Sequence, residues 1–526
     1  MVRKIFFALA IVLPLIIVLA STWWVHALWA FLIVGPLIIV GLHDILQRTH
    51  SLLRIYPVIG HGRYLFEEFR PEIQQYFVET NIDGAPFSRE FRSVIYQRAK
   101  GALDTVPFGT QRDVERVGYE WMPHSLSPRT APEKPLRVEV GGPGCTKPYL
   151  ASYLNISAMS FGSLGRTAVL ALNGGARIGG FAHNTGEGGL SPYHLAPGGD
   201  LIWQIGTGYF GCRRREGGFD PDRFRENARR GAVKMIEIKL SQGAKPGHGG
   251  ILPATKLTRE IAAIRGVSMG QDVLSPPAHS AFSSPKGLLE FVAKLRGLCG
   301  GKPVGFKLCI GHRREFLGIC KAMIETGILP DFITVDGAEG GTGAAPIELS
   351  NSVGMPMRDG LLFVNNALRG VGLRGGIRVI AAGKIVTGFH MIRATALGAD
   401  LCNSARGMMF ALGCIQARKC NTNKCPVGIT TQDPSRNQGL VVKDKVQRVA
   451  RYHHDTIQSF LELCAVIGFE SPAEITPHDV LRRIDATTTK RFDEIYEYLP
   501  ECSLIEGRSL PEDWADHWRR ASADRF

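Results

Sequence analysis

The N-terminal part of the sequence is a single apolar run. From Ile5 to Leu42 it contains no Asp, Glu, Lys or Arg, whereas one membrane span needs only about 20 apolar residues. The run is long enough for two spans, and the stretch at residues 21–24 is where the chain would turn. We therefore predict a two-helix transmembrane hairpin over residues 1–44. The alternative is a cleaved signal peptide that ends near Ala20 and is followed by one span.

Basic residues flank this run on both sides. Arg3 and Lys4 precede it, and Arg48 and Arg54 follow it, which places both ends on the cytoplasmic side by the positive-inside rule. The 11 cysteines are an odd number in a long chain, so a disulfide framework is not expected. We predict a protein with two spans in the cell inner membrane and its main body in the reducing cytoplasm.

Residues 45–149 follow as a helical connector and lead-in to the barrel, rich in aromatic and charged residues. Phe66, Phe69, Ile73 and Phe77 recur in it at helical spacing. Burial of such an apolar stripe usually stabilises an amphipathic helix. We expect this helix to pack on the body of the protein.

From about residue 150 the pattern changes to short apolar runs that alternate with helical patterns. Eight such runs occur: LNISAMSF, FAHNTGEGG, LIWQIG, MIEIKL, VGFKLCI, FITVDG, RVIAAGK and ADLCNSA. This alternation is typical of a (β/α)8 TIM barrel of the α/β class. We assign the barrel to residues 150–432, with a cysteine-rich segment at 408–432, and a helical C-terminal extension to residues 433–526.

Four of the runs end in polar side chains, which a barrel would place at the rim of an apolar interior: Gln204, Lys239, Lys307 and Asp336. A buried, unpaired ammonium group is costly, so each lysine must have a partner or face a ligand. Two lysines favour an anionic ligand, and a flavin fits because its N1–C2=O edge becomes anionic on two-electron reduction. The alternative is a structural Lys–Asp pair within the barrel.

The last two runs end in small residues. Gly383 closes the seventh run, and Ser404 and Ala405 begin the stretch that follows the eighth. Barrels that bind phosphorylated cofactors hold the phosphate on backbone N–H groups at these two positions. Glycine is also common in ordinary turns, so by itself this signal is weak.

The loop after the fourth run, Ser241–Gly250, contains four glycines and a proline. Such a loop is shaped, and it could direct Gln242 and Lys245 at a substrate. Together with Arg265 these groups suit a dicarboxylate, because an arginine fork matches a carboxylate. The alternative is a surface loop with solvated charges.

Three cysteines, Cys414, Cys420 and Cys425, lie within twelve residues and are followed by Pro426. Three thiolates complete a tetrahedral zinc site only with an added His or Asp, but they match the ligand number of a three-iron cluster. Three ordinary buried cysteines are a further alternative.

The formal net charge is +14. Neither zinc-finger spacing, nor an RNA-recognition signature, nor a basic helix interleaved with aromatics accompanies this charge, so we predict no nucleic-acid partner. A membrane surface or an acidic redox partner fits the charge better.

Five stretches together resemble a known family: ISAMSFGSL, NTGEGG, IEIKLSQGAKPGHGG, DGAEGGTGA and Cys414-x5-Cys420-x4-Cys425-PVGITTQ. They are similar to the FMN-binding synthase domain of glutamate synthases and to the iron–sulfur segment that follows it. The sequence most resembles the short, membrane-anchored members known as FMN-binding glutamate synthase family proteins.

The resemblance implies FMN in the barrel, a [3Fe–4S] cluster on the three cysteines, and an oxidoreductase that acts on CH–NH2 donors. The reaction would be the reductive amination of 2-oxoglutarate by ammonia to glutamate. By motif position, Gln242, Lys245 and Arg265 would hold the oxoacid, and Glu187 would take part in proton or ammonia handling. The implied cofactor-binding residues are Ala158, Met159, Ser160, Gln204, Lys239, Lys307, Asp336, Gly340, Gly341, Gly383, Ser404 and Ala405.

The sequence departs from the large members of this family in two ways. It leaves no room for a glutaminase domain before the barrel, so ammonia would come from elsewhere, for example from a separate glutaminase subunit. A GxGxxG motif that follows a strand and opens a helix is missing, so a protein electron donor such as ferredoxin is expected instead of NADPH. Alternative functions are a membrane-linked flavin and iron–sulfur electron-transfer protein, an amine oxidoreductase coupled to a quinone pool, or a non-catalytic scaffold.

Overall fold

The eight apolar runs fold as eight parallel strands that close into a barrel. The fold comes from a computed structural model, which describes residues 2–134, 136–508 and 510–526 and divides into two units, Met1–Glu90 and Phe91–Phe526. The predicted (β/α)8 barrel is confirmed. Its strands are β1 (Leu154–Ile156), β2 (His183–Asn184), β3 (Leu201–Ile205), β4 (Val233–Lys239), β5 (Val304–Leu308), β6 (Phe332–Asp336), β7 (Arg378–Ala382) and β8 (Leu401–Ser404).

Neighbouring strands follow chain order, and β8 pairs with β1 to close the barrel. The strand residues are nearly all buried, as expected of parallel strands that are covered on both faces. β2 is short because Gly186 and Gly189 adopt positive φ angles of 63° and 85° directly after it, a conformation that turns the chain out of the barrel wall. The run FAHNTGEGG is therefore mostly loop.

Helices connect the strands and cover the outside of the barrel. Ser284 and Thr387 each begin a helix by accepting a hydrogen bond from a backbone N–H of the first turn. The α-helices from residue 89 onward are Arg89–Lys100, Arg166–Gly179, Pro192–Leu195, Pro221–Ala228, Arg259–Arg265, Pro285–Leu298, Arg313–Thr326, Ile347–Ser352, Met357–Gly370, Gly388–Ala396, Arg406–Leu412, Pro434–Asn437, Val442–Ile467, Phe492–Ile495, Ser503–Glu506 and Glu512–Arg520.

A hairpin of two antiparallel strands, Arg137–Val140 and Tyr149–Ser152, precedes β1. Its side chains Val140 and Ala151 belong to a buried apolar cluster that also contains Ala182, Ile202, Met235, Phe332, Ile380 and Leu401 from the barrel wall. This cluster fills the N-terminal end of the barrel. This end is closed to a ligand, which leaves the carboxyl ends of the strands, where barrels of this architecture bind their ligands.

Besides this hairpin, two further regions contain strands that the sequence pattern did not predict. After β4 the chain forms an antiparallel pair, Ile251–Leu252 with Val273–Leu274, before it returns to the barrel. The C-terminal extension is helical as predicted, but Leu481–Arg483 and Thr489–Arg491 also form a three-stranded sheet with Glu120–Trp121. These strands have two or three residues each, which is too short for a recognisable alternation.

The first unit contains the two predicted apolar helices. They are α1 (Val2–Ser21) and α2 (Phe31–Leu46), joined through the 3-10 helix Val25–Ala30. By length and composition, α1 and the segment Val25–Leu46, which joins the 3-10 helix to α2, are each able to cross a membrane. Two more helices follow, α3 (Ser51–Ile55) and α4 (Gly60–Ile73), and a π-helical turn, Gln74–Val78, extends α4.

The predicted helix is present as α4. Within the first unit its stripe is uncovered: Phe66, Phe69 and Phe77 are 69%, 52% and 85% exposed. That these side chains pack on the body of the protein stays a prediction. Helical periodicity reveals a stripe but not the surface that covers it.

Candidate functional site

Two lysines lie side by side at the mouth of the barrel. Lys239 of β4 is in register with Lys307 of β5, and each is only 5% exposed. Lys307 Nζ lies 3.1 Å from Asp336 Oδ2, and Lys239 Nζ lies 3.0 Å from Glu187 Oε2. The Lys–Asp pair that the sequence allowed is therefore present, and a second ion pair lies beside it.

The ion pair of Lys307 overcomes the cost of its burial. Burial alone would lower the pKa of this lysine, but the carboxylates of Asp336 and Glu237 outweigh burial and raise the pKa above its ordinary value. Asp336 also accepts a hydrogen bond of 3.1 Å from the backbone N–H of Gly243. The carboxylate thus connects the strand ends to the loop after β4.

Glu187 lies among three cations. Burial alone would raise the pKa of its carboxyl group, but Lys239, Arg265 and Lys245 outweigh burial and lower the pKa. The carboxylate is therefore ionised at neutral pH. Three positive charges around one negative charge leave an excess that an anionic ligand can balance.

Lys245 and Arg265 are buried cations with few protein partners. Burial lowers the pKa of Lys245 to about 8 and that of Arg265 to about 10. Lys245 Nζ donates to the carbonyl of Ala344 at 2.7 Å, and Arg265 Nη2 donates to the carbonyl of Phe161 at 3.3 Å. The guanidinium carbon lies 5.1 Å from the centre of the Phe210 ring.

Two buried donors in this region have no hydrogen-bond partner among the described residues. They are Gln242 Nε2 and Arg265 Nε. A buried donor without a partner costs about 1–3 kcal/mol, and native proteins leave few such groups without a ligand or water. Of the four residues predicted for the substrate, Glu187, Lys245 and Arg265 are brought together, while Gln242 adjoins Gly243 at the Asp336 carboxylate.

The sequence reasoning missed a buried carboxylate below the mouth. Glu237 has no exposed surface, and its Oε1 accepts from Asn184 Nδ2 at 2.8 Å and from Gln204 Nε2 at 2.7 Å. Its Oε2 accepts from Thr334 Oγ1 at 2.8 Å. Because a carboxylate only accepts hydrogen bonds, Gln204 turns its NH2 group toward Glu237, which leaves Gln204 Oε1 as an acceptor for a ligand.

A sequence signal for Glu237 existed. It stands two positions before Lys239 in MIEIKL, and residues i and i+2 of a strand face the same side. A lysine that faces the interior therefore implied an interior glutamate.

The predicted residues Ala158, Met159 and Ser160 lie directly after β1. Met159 N–H donates to the carbonyl of Asn184 at 2.9 Å, and its carbonyl is 3.0 Å from His194 Nε2. A Cβ atom at Gly186 would lie 2.9 Å from the Ser160 nitrogen. The two loops therefore pack backbone against backbone at the mouth, which requires glycine at this position.

Two cations, Lys384 and Arg406, lie at the predicted phosphate position after β7 and β8. The sequence reasoning did not single them out. A Cβ atom at Gly341 would lie 2.9 Å from Arg406 Nε, and Arg406 Nη2 donates to the carbonyl of Glu339 at 2.6 Å. Burial, followed by the charge of Arg406, lowers the pKa of Lys384. Both cations directly follow predicted residues, Gly383 and Ala405, which was the available signal.

Ser404, Gly340 and Gly383, which were also predicted to bind the cofactor, have different surroundings at the phosphate position. Ser404 Oγ donates to the carbonyl of Ile385 at 2.6 Å, so its hydroxyl is occupied and only its backbone is offered to a ligand. A Cβ atom at Gly340 would lie 3.3 Å from Asp336 Oδ1, and one at Gly383 would lie 3.1 Å from Glu339 Oε1. Gly340 and Gly383 thus adjoin carboxylates.

The three cysteines influence one another electrostatically but differ in their surroundings. Burial, together with the other two thiols, raises the pKa of Cys414 to about 12. Burial also would raise the pKa of Cys425, but hydrogen bonds from Thr430 and from the N–H groups of Val427 and Ile429 outweigh burial and lower it. Within residues 2–134, 136–508 and 510–526, no three His, Cys, Asp or Glu side chains are arranged to hold a metal ion.

The cysteine segment is tied to the barrel mouth. Lys256, which is 2% exposed, donates through Nζ to the carbonyls of Ser163 and Cys420. Gln432 Nε2 donates to the carbonyls of Gly162 and Leu164 at 3.0 and 2.9 Å. The loop after β1 and the cysteine segment therefore share a hydrogen-bonded boundary.

A (β/α)8 barrel whose mouth combines buried lysines, an arginine and a shaped glycine loop suits an anionic cofactor or substrate. Residues 138–470 match the family described as "Conserved region in glutamate synthase". The chain belongs to this family, and it is an oxidoreductase of the class that acts on CH–NH2 donors.

Curated relatives support the same assignment. The chain is 38% identical over 504 residues to the glutamate synthase large subunit-like protein YerD of Bacillus subtilis (strain 168), an alignment that covers 88% of this chain and 95% of that protein. It is 35% identical over 349 residues to the archaeal-type glutamate synthase [NADPH] of Thermotoga neapolitana, covering 64% of this chain and 65% of the relative. The alignment thus spans slightly less than two thirds of the Thermotoga protein.

Among solved structures, the chain is similar to a flavocytochrome b2 mutant with pyruvate bound. The TM-score is 0.41 and the identity 12%, over 85% of this chain and 97% of that chain. A likeness at this level carries no argument about the chemistry of the site.

Glu237→Gln tests the buried network. The substitution keeps the shape of the side chain but replaces one acceptor oxygen with a donor, so at least one of the three donors loses its partner. We expect a loss of about 1–3 kcal/mol in the free energy of unfolding, measured by denaturant titration of the detergent-solubilised protein. The matched control is Glu260→Gln on the exposed surface, where Glu260 accepts one bond from Tyr193. Equal stability of the two variants would contradict the proposed importance of the network.

Proposed function

We propose that this chain catalyses the reductive amination of 2-oxoglutarate to glutamate at an FMN held in the barrel mouth. The observation that carries the proposal is the excess of buried positive charge: Lys239, Lys245 and Arg265 act on the single carboxylate of Glu187. Two positive charges remain uncompensated in this group. 2-Oxoglutarate carries two negatively charged carboxylates, which would balance these two positive charges.

Lys245, Arg265 and Gln242 would bind those carboxylates. The unpaired Arg265 Nε and Gln242 Nε2 supply two donors that need no rearrangement of existing bonds. A fixed arginine fork binds a planar carboxylate in one orientation. The keto carbon of the substrate is thereby held in a defined position, which is the main contribution that such residues make to rate.

The residues at the mouth fit FMN. Lys307 would face the flavin edge that becomes anionic on reduction, and Gln204 Oε1 is an acceptor for a ring N–H. Lys384 and Arg406 would bind the phosphate together with the backbone at Gly341, in a position that TIM barrels use for phosphate. When bound, FMN supplies hydride transfer to the carbon that becomes the amino-bearing carbon of glutamate.

Glu187 would accept a hydrogen bond from neutral ammonia, since the cations around it disfavour a further positive charge. Its pKa is lowered by Lys239, Arg265 and Lys245 against the effect of burial, so it is a weak base. Its contribution is therefore to position ammonia beside the keto carbon. The overall change consumes 2-oxoglutarate, ammonium, two electrons and two protons, and it releases water and glutamate.

We assign an iron–sulfur relay to the cysteine segment on its ligand number and spacing, although its three thiols are not gathered around one point in this structure. The backbone N–H groups of Val427, Ile429 and Thr430 lower the pKa of Cys425, and N–H groups near sulfur stabilise the thiolates that ligate a cluster. A [3Fe–4S] cluster on Cys414, Cys420 and Cys425 would supply single-electron transfer. The electrons would come from a protein donor such as ferredoxin, for which the net charge of +14 is favourable. A separate glutaminase subunit is a source of ammonia.

The two apolar helices would anchor the chain in the membrane. α1 has 20 residues, and the second segment, Val25–Leu46, has 22, which matches a hydrocarbon core about 30 Å thick. Arg3 and Lys4 on one side and Arg48 and Arg54 on the other would place both ends in the cytoplasm.

The central test is the reoxidation of the reduced flavin. The protein is purified anaerobically in detergent, its flavin is reduced, and absorbance is followed with 2-oxoglutarate alone, ammonia alone and both together. We expect fast reoxidation only with both, with glutamate formed in equal amount. A flavin that is indifferent to the pair would refute the synthase proposal and favour a quinone or another amine as substrate. Absence of flavin would favour the scaffold.

The pH dependence of the reaction tests Lys245. Its pKa is lowered by burial to about 8, so the ammonium group is present below pH 8 and is lost as pH rises. We expect kcat/KM for 2-oxoglutarate, measured at saturating ammonia, to fall about tenfold per pH unit above this value. Lys245→Arg keeps its charge and should flatten the profile. A flat profile in the unaltered protein would exclude this role.

Cys420→Ser tests the cluster. Loss of one of three thiolates should abolish the electron paramagnetic resonance signal of the oxidised cluster and lower the iron content, while bound FMN is retained. Cys145→Ser is the control, because the Cys145 thiol donates to the carbonyl of Gly301, outside the cysteine segment. Equal iron contents in the two variants would show that the cluster is not held by Cys420.

A further inference from the structure

Helix α4 carries an apolar stripe that the first unit does not cover. Leu65, Phe66, Phe69 and Ile73 fall within an arc of about 100° on the helix surface at 100° per residue, and Phe77 continues the stripe beyond its end. These side chains are 55%, 69%, 52%, 43% and 85% exposed, respectively. The charged residues of the helix lie outside this arc: Arg63, Glu67, Glu68, Arg70 and Glu72.

An isolated helix of this length is marginal in water. α4 has 14 residues, and helices shorter than about 12–15 residues gain most of their stability from contacts of their apolar face. Exposed aromatic side chains at helical spacing provide no such contact. The stripe therefore requires a partner surface.

The position of α4 along the chain identifies that surface. Asp44, which is 1% exposed near the end of α2, accepts hydrogen bonds of 2.9 Å from the Val58 N–H and from His61 Nε2. His61 belongs to the first turn of α4. These bonds hold the start of α4 beside the end of the second apolar helix.

We infer that α4 lies in the interface between lipid and water, with its stripe turned toward the acyl chains. The inference rests on the proposed membrane insertion of α1 and α2, and it goes beyond the proposed reaction. An amphipathic helix whose start is held at the end of a span lies at the level of the lipid headgroups. Because α4 contains three Glu and two Arg, burial of the stripe and not attraction to anionic lipid would drive its binding.

Photo-cross-linking in lipid bilayers tests the inference. The full chain, with benzoylphenylalanine in place of Phe69, is reconstituted in phosphatidylcholine bilayers that contain a radiolabelled lipid, and it is irradiated. Glu67→benzoylphenylalanine is the matched control, because it carries the same probe on the charged side of the helix. We expect about fivefold more lipid adduct from position 69 than from position 67. Position 66 serves as a second site on the stripe.

Three outcomes would overturn the inference. Cross-links from position 69 to a second copy of the chain would identify α4 as an oligomer contact, and cross-links within one chain would identify a protein surface that covers the stripe. Equal lipid labelling at positions 67 and 69 would show that the helix has no preferred face. In each case, resistance of the unaltered chain to carbonate extraction is measured separately. Loss of that resistance would refute the anchoring itself.

Discussion

Compensation of buried positive charge is the constraint on which the barrel mouth depends. An ammonium or guanidinium group inside an apolar barrel is tolerated only when carboxylates or a ligand balance it. The protein balances Lys307 fully with Asp336, but it balances the neighbouring cations with only one carboxylate, Glu187. The uneven distribution divides the mouth into a neutral part and a part with excess charge. An anionic substrate bound in the second part would therefore also stabilise the fold.

The interior is arranged in layers of increasing polarity. Apolar side chains around Phe332 fill the end near the strand starts. Above them, Glu237 is satisfied by three neutral donors, Asn184, Gln204 and Thr334. The charged groups follow at the strand ends. A carboxylate in the middle layer raises the pKa of Lys307 through its charge, so the middle layer stabilises the charged layer without being exposed to solvent.

The barrel was predictable because its strands and helices have different periods, and each of the eight runs was followed by a turn signal. The lysines were predictable because a cation in an apolar strand is conspicuous. Glu237 was overlooked although the same argument applies to it. The orientation of Ser404 and the surroundings of the three cysteines depend on contacts between distant segments, for example Lys256 with Cys420. Sequence spacing does not encode such contacts.

The alternation along β4 has a consequence for engineering. Glu237 and Lys239 point inward, while Ile236 and Ile238 between and beside them are fully buried in the barrel wall. A shift of one residue in the strand would turn both charged groups outward and both isoleucines inward. The polar middle layer and the charged rim therefore share one strand register. A transplant of this mouth onto another barrel would have to carry the whole of β4. Glu237 and Lys239 face the interior together only when the alternation of the strand between them is kept.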